Sequence, residues 1–208
     1  MSTEQERSFI ARIRYNGDYL GFLQEKYILS GPQPNLLTSY DHEERLSRSS
    51  YGWSMSGGLP DSRAFAEERV GQQNLHLEMI VYFRCYENYY NIQIRNKYFL
   101  GQFFSKSEDG SLGAYPPAGG NTTSYNLLDA NLNIITLDDI ETDEARVYFK
   151  ARNAGLINSR KNQLRDPGVR KKHQQFNTFG DHSGTPAQFE LKILERNVPY
   201  PTKHVPYT

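Results

Sequence analysis

Apolar residues in this chain alternate with polar ones or fall in short runs closed by Gly, Pro, Asn and Asp. Residues 9–13, 75–82, 90–94 and 189–193 carry this pattern, which predicts strands. One segment departs from it. Residues 63–70 favour a helix, with Asp61 or Ser62 placed to cap its start and Gly71 its end. The 15 Tyr and 11 Phe strengthen the strand reading, because aromatic side chains fit pleated surfaces and fill sheet cores. The expected class is all-β.

Three stretches can be laid over one another. Ile94, Arg95 and Asn96 through Gly101 align without a gap to Ala151, Arg152 and Asn153 through Asn158, and Ile13 through Gly21 joins them with one extra residue in the turn. Each predicts a strand, a tight turn and a returning strand. Leu132 follows Ile94, and Phe189 follows Ala151, at the same interval of 38 residues. The first unit is longer, and its helix-like segment with Gly57, Gly58 and Pro60 marks an insertion over about residues 56–74. In this spacing the chain resembles the β-trefoil superfamily, whose members include lectins and actin-bundling proteins. The resemblance implies three pseudo-repeats, at about 8–86, 88–140 and 145–195, in a single domain over 1–195, followed by an extended Pro-rich tail over 196–208. A β-sandwich is the alternative.

Charge and cysteine content narrow the function classes. The chain holds 24 Lys+Arg and 24 Asp+Glu, and this balance makes nucleic acid an unfavoured partner. The lone Cys85 cannot form an internal disulfide; placed in an apolar strand, it reads as a buried residue and not a nucleophile. With no leader-like N-terminus and no membrane-length apolar run, the expectation is a soluble, cytoplasmic protein, although release by another route stays open. The sequon at Asn121 would matter only in an exported chain. No zinc-ligand spacing, nucleophile elbow or phosphate loop occurs, so the expectation is a non-enzyme without metal or cofactor.

The trefoil resemblance implies a binding protein, and lectin-like carbohydrate recognition is the first reading. Sugars need an aromatic face with nearby amides, carboxylates or imidazoles. Tyr51 with Trp53, Tyr125 in the loop from Asn121 to Asn126, and Asp181 with His182 offer that mixture, as do Tyr40 to His42. Tyr125 and His182 both lie 31 residues after their unit's reference position, which predicts equivalent loops. A second reading is self-assembly or docking to a protein partner through the tail, where Val198 and Tyr200 recur as Val205 and Tyr207 in two Val-Pro-Tyr copies. A host-directed toxin or inhibitor is a third. Arg165, Arg170, Lys171 and Lys172 form a candidate anion-binding loop in the basic last third of the chain.

Overall fold

A computed structural model describes residues 6–22, 36–40, 78–96, 99–165, 173–201 and 206–207. Its strands are β1 (Phe9–Tyr15), β2 (Asp18–Phe22), β3 (Leu37–Tyr40), β4 (Met79–Tyr86), β5 (Tyr89–Ile94), β6 (Phe103–Lys106) and β7 (Leu112–Tyr115). Then follow β8 (Tyr125–Leu128), β9 (Ile134–Ile135), β10 (Glu144–Ala151), β11 (Asn158–Arg165), β12 (His173–Gly180), β13 (Thr185–Pro186) and β14 (Gln188–Arg196).

Six of these strands close a ring. β1 pairs with β4, β4 with β5, β5 with β8, β8 with β10, β10 with β14, and β14 returns to β1, every pair antiparallel. Closure leaves the ring without a free edge. The inward positions follow the strand period of two: Phe9, Ala11 and Ile13 on β1, Val81, Phe83 and Cys85 on β4, and Val147, Phe149 and Ala151 on β10 are all 0% exposed. Aromatic rings fill the centre. Phe9 stacks on Phe83 at 4.3 Å and Phe149 on Phe189 at 4.5 Å, while Tyr90 meets Phe83 edge-on at 5.9 Å. Cys85 is buried there, as its apolar context predicts.

The remaining strands hang from this ring unequally. β1 turns into β2 through Asn16 and Gly17, both at positive φ, as a two-residue hairpin turn requires. From β2 the sheet continues through β3, β12 and β11 to β13, whereas β5 carries β6 and β7, and β8 carries β9. These strands bring Phe22, Phe104, Leu112 and Phe179 into the same core, where Phe22 packs on Phe99 and Tyr15 meets Phe179 edge-on. β7 and β12 touch where Ser111 bridges Gly180. There a Cβ on Gly180 would lie 2.5 Å from the Gly110 carbonyl oxygen, so the close backbone approach needs glycine.

The fold is thus a closed six-stranded antiparallel barrel with extra strands, in place of the trefoil expected from the spacing. The β-sandwich is not supported either, since a closed ring does not divide into two facing sheets. Part of the overlay survives: Ile13, Ile94 and Ala151 are buried on the barrel strands β1, β5 and β10. The landmark at the 38-residue interval fails. Phe189 lies on β14, but Leu132 sits outside any strand, at φ 64° and 51% exposed. Asp129 Oδ1 accepts hydrogen bonds from the backbone of Asn131 and Asn133, and that turn, not a strand, sets the backbone at Leu132. The helix expected over 63–70, and the insertion at 56–74, lie outside the described residues. Among the described residues no helix is long and apolar enough to cross a membrane.

The tail folds back on its own domain. Val198 N donates to the Ser8 carbonyl at 2.9 Å, and Tyr82 Oη donates to the Val198 carbonyl at 2.9 Å. Tyr207 N donates to the Arg95 carbonyl at 3.3 Å. Net worth per such bond is about 0.5–1.5 kcal/mol. Deleting residues 198–208 is therefore expected to lower the urea-unfolding free energy by about 1.5–4.5 kcal/mol while leaving the oligomeric order in sedimentation unchanged. A fall in oligomeric order would instead assign the tail to a neighbouring copy.

Candidate functional site

The β4–β5 hairpin places two tyrosines face to face. Tyr86 and Tyr89 are cross-strand partners around the turn at Glu87 and Asn88, so their side chains leave the same face, and their rings stack at 5.5 Å with planes 14° apart. Glu87 takes positive φ to make this turn. Arginines extend the stack at both ends. Arg152, in the turn between β10 and β11, lies over Tyr89 with its guanidinium carbon 3.8 Å from the ring centre. Arg84 lies 4.9 Å from the Tyr86 ring centre and 4.1 Å from that of Tyr200 in the tail. Tyr200, Arg84, Tyr86, Tyr89 and Arg152 thus form one alternating ladder of rings and cations along the outside of the hairpin.

The Arg152 end of the ladder opens on a cleft of about 540 Å³. Tyr86, Tyr89 and Asn91 of the hairpin line it together with the segment Gly119 to Ser124 and with Lys106, Arg152 and Asn153. The Gly119–Asn121 turn and the loop after it are tied down. Thr122 Oγ1 accepts from Ala118 N at 3.0 Å, Thr123 Oγ1 accepts from Lys106 N at 3.0 Å, and Thr123 N donates to Ser105 Oγ at 3.1 Å. Ser124 joins these parts of the lining, its hydroxyl donating to Asn91 Oδ1 at 2.7 Å, and its carbonyl accepting from Arg152 N at 2.9 Å. Lys106 is paired with Asp181. The cleft therefore offers the edges of a stacked aromatic pair beside amide, hydroxyl and cationic groups on a braced frame.

The residues expected from sequence are scattered. Tyr51 and Trp53 lie outside the described residues, as do Asp41 and His42, Arg170, Lys171, Lys172 and Val205; the Arg165 and Tyr40 side chains also lie outside them. Tyr125 is on β8 and fully buried, its ring 6.1 Å from Phe149, so no ligand reaches it in the folded chain. Burial pushes its phenol pKa up. His182 follows β12, with its carbonyl accepting from Asn158 Nδ2 at 2.8 Å, so it and Tyr125 are not equivalent loop positions. Asp181 stands behind Lys106, and does not line the cleft. Val198 and Tyr200 serve the tail's own docking, with Tyr200 6.1 Å from Tyr82, and Tyr207 is half-buried beside Arg95. The loop from Asn121 to Ser124 is the part of the expectation that does line the cleft.

Tyr86, Tyr89, Lys106 and Arg152 were not singled out by sequence as binding residues. Their one sequence signal is the spacing Tyr86-Glu87-Asn88-Tyr89 between two strand-like runs, which makes a two-residue hairpin with opposed tyrosines. A second groove, of about 470 Å³, crosses β1, β14 and β10. It is an ion network: Glu78 pairs with Arg12 at 2.5 Å and Arg14 at 2.8 Å, and Glu190 with Arg146 at 3.8 Å. Arg12, Arg14, Arg146 and Glu190 are thereby answered. Among the described residues no cluster of three or more His, Cys, Asp or Glu is arranged to hold a metal. No protein family, curated protein or solved structure matches the chain.

Proposed function

We propose that this chain is a non-enzymatic recognition protein that binds carbohydrate in the cleft beside Tyr86 and Tyr89. The observation that carries the reading is the stacked tyrosine pair set next to Asn91, Thr123 and Asn121 in an open, braced cleft. A pyranose ring has an apolar face that packs on an aromatic side chain and hydroxyls that need paired donors and acceptors. A shallow wet site of this kind suits it, because water completes the remaining hydrogen bonds. The buried state of the lone Cys85 agrees with a reducing, cytoplasmic setting.

The test is binding of the labelled protein to a broad glycan array with free-sugar competition. Competable binding to a related set of glycans is the expected result. Tyr89→Ala should weaken that binding about ten-fold or more, since a lost ring contact in a binding site is worth more than about 1 kcal/mol. A blank array, or full affinity in the Tyr89→Ala protein, overturns the reading.

A further inference from the structure

We infer that the sugar taken by this cleft is an acidic one, with its carboxylate held by Arg152; the inference rests on the carbohydrate reading above. Among the described residues two cations, Lys106 and Arg152, line the cleft, and no Asp or Glu does. Lys106 is answered by Asp181 from behind. Arg152 is not answered: its guanidinium makes no hydrogen bond or ion pair among the described residues, and its only side-chain contact of note is the Tyr89 ring at 3.8 Å. The arginine is positioned all the same, because its backbone is tied to Ser124 and its guanidinium carbon lies over the Tyr89 ring.

That posture leaves the fork open. A guanidinium stacked by its face keeps its N–H groups in the plane at the edge, where they match the two oxygens of a carboxylate. Tyr86 and Tyr89 cover one face of each other and the arginines lie over the remaining faces, so the apolar side of an acidic hexose meets the ring edges that line the cleft while its anion meets the Arg152 fork. Asn91 Nδ2, which the Ser124 bond to Oδ1 does not use, is left for a neutral hydroxyl. A neutral-sugar site has no use for an unanswered arginine with no carboxylate beside it among the described lining residues.

The test uses the full chain and matched oligosaccharides that differ only at one carbon, polyuronate fragments against the same fragments with each carboxyl reduced to the alcohol, measured by calorimetry. The acidic form is expected to bind about ten-fold or more tightly, as a charge-assisted hydrogen-bonded pair adds at least that factor. Arg152→Gln should bring the two forms to equal affinity, and Arg152→Lys should restore only part of the difference, a split that a merely structural role would not give. Arg152 is exposed, so both variants should melt with the parent protein. Equal binding of acidic and neutral fragments by the parent protein overturns the inference and leaves carbohydrate binding standing. Preference for a sulfated neutral fragment over the uronate overturns the carboxylate assignment. Binding of neither form at any salt overturns the inference, and the glycan array then decides the carbohydrate reading separately.

Discussion

Phe149→Ala will cost this protein about 3–5 kcal/mol of folding free energy, the range for truncating a large buried aromatic. Phe149 is 0% exposed on β10 and sits where three other strands meet: it stacks on Phe189 of β14 at 4.5 Å, and its ring lies 6.2 Å from Phe83 of β4 and 6.1 Å from Tyr125 of β8. Removing it opens a cavity in the centre of a closed barrel, where the surrounding strands cannot move inward without breaking the ring of hydrogen bonds. Domains of this size hold only about 5–15 kcal/mol in all, so the variant should unfold at a much lower urea concentration with its m value unchanged. Phe149→Leu should lose less, because it keeps most of the volume. A loss under about 1 kcal/mol in the alanine variant would mean that these rings are not packed as described.

Alkaline pH will unfold the protein steeply, and Tyr90 and Tyr125 lead the effect, with Tyr82 and Tyr207, which burial also pushes up, adding to it. Burial pushes the pKa of Tyr90 and of Tyr125 well above the ordinary value of 10.0, since a phenolate would lose its water in the core. Folded, both groups hold their protons; unfolded, they release them as pH passes 10. The folded state therefore binds more protons in that range, and stability is full below pH 10 and falls above it. Each phenol adds a slope of about 1.4 kcal/mol per pH unit. Urea titrations at stepped pH should be flat with respect to these groups up to about pH 10 and then decline. Replacing both by Phe should remove most of that decline, even though Tyr90→Phe alone leaves the Leu137 N–H, which donates to Tyr90 Oη at 2.9 Å, without its partner. A double variant that declines as steeply as the parent would show that other groups govern alkaline unfolding.

The strands were legible because a core position is a local property of the sequence. Ile13, Ile94 and Ala151 each announce a buried strand residue by their neighbours, and Asn16-Gly17 announces a hairpin by the positive φ it tolerates. Closure was not legible in this way. Whether β14 returns to β1 depends on pairings such as Phe9 with Arg196, which no local pattern encodes. Leu132 misled for a related reason: an apolar residue at the expected interval is indistinguishable in sequence from a strand residue, while its backbone is set by hydrogen bonds to Asp129. Tyr125 misled because a tyrosine beside Asn and Ser suits a binding loop as well as it suits the first position of a buried strand. The cleft itself is assembled from β4, β5, β6, the loop before β8 and the turn after β10, so only the Asn121 to Ser124 segment could be seen in one stretch. Arg152 appeared in the sequence as a repeat marker, and its binding chemistry exists only because the fold carries it to Tyr89.

The way β1 is held has a consequence for how the chain comes off the ribosome. One edge of β1 is satisfied early, by β4, but its other edge waits for β14, the final described strand. Until that strand emerges, a nascent chain exposes a row of unpaired backbone groups next to Phe9, Ala11 and Ile13, an edge open to any neighbouring strand. Because the joining contacts span nearly the whole length of the chain, the last step of assembly is slow in principle. Chains truncated ahead of residue 188 should therefore collect in the insoluble fraction, and the full-length protein should refold best when dilute.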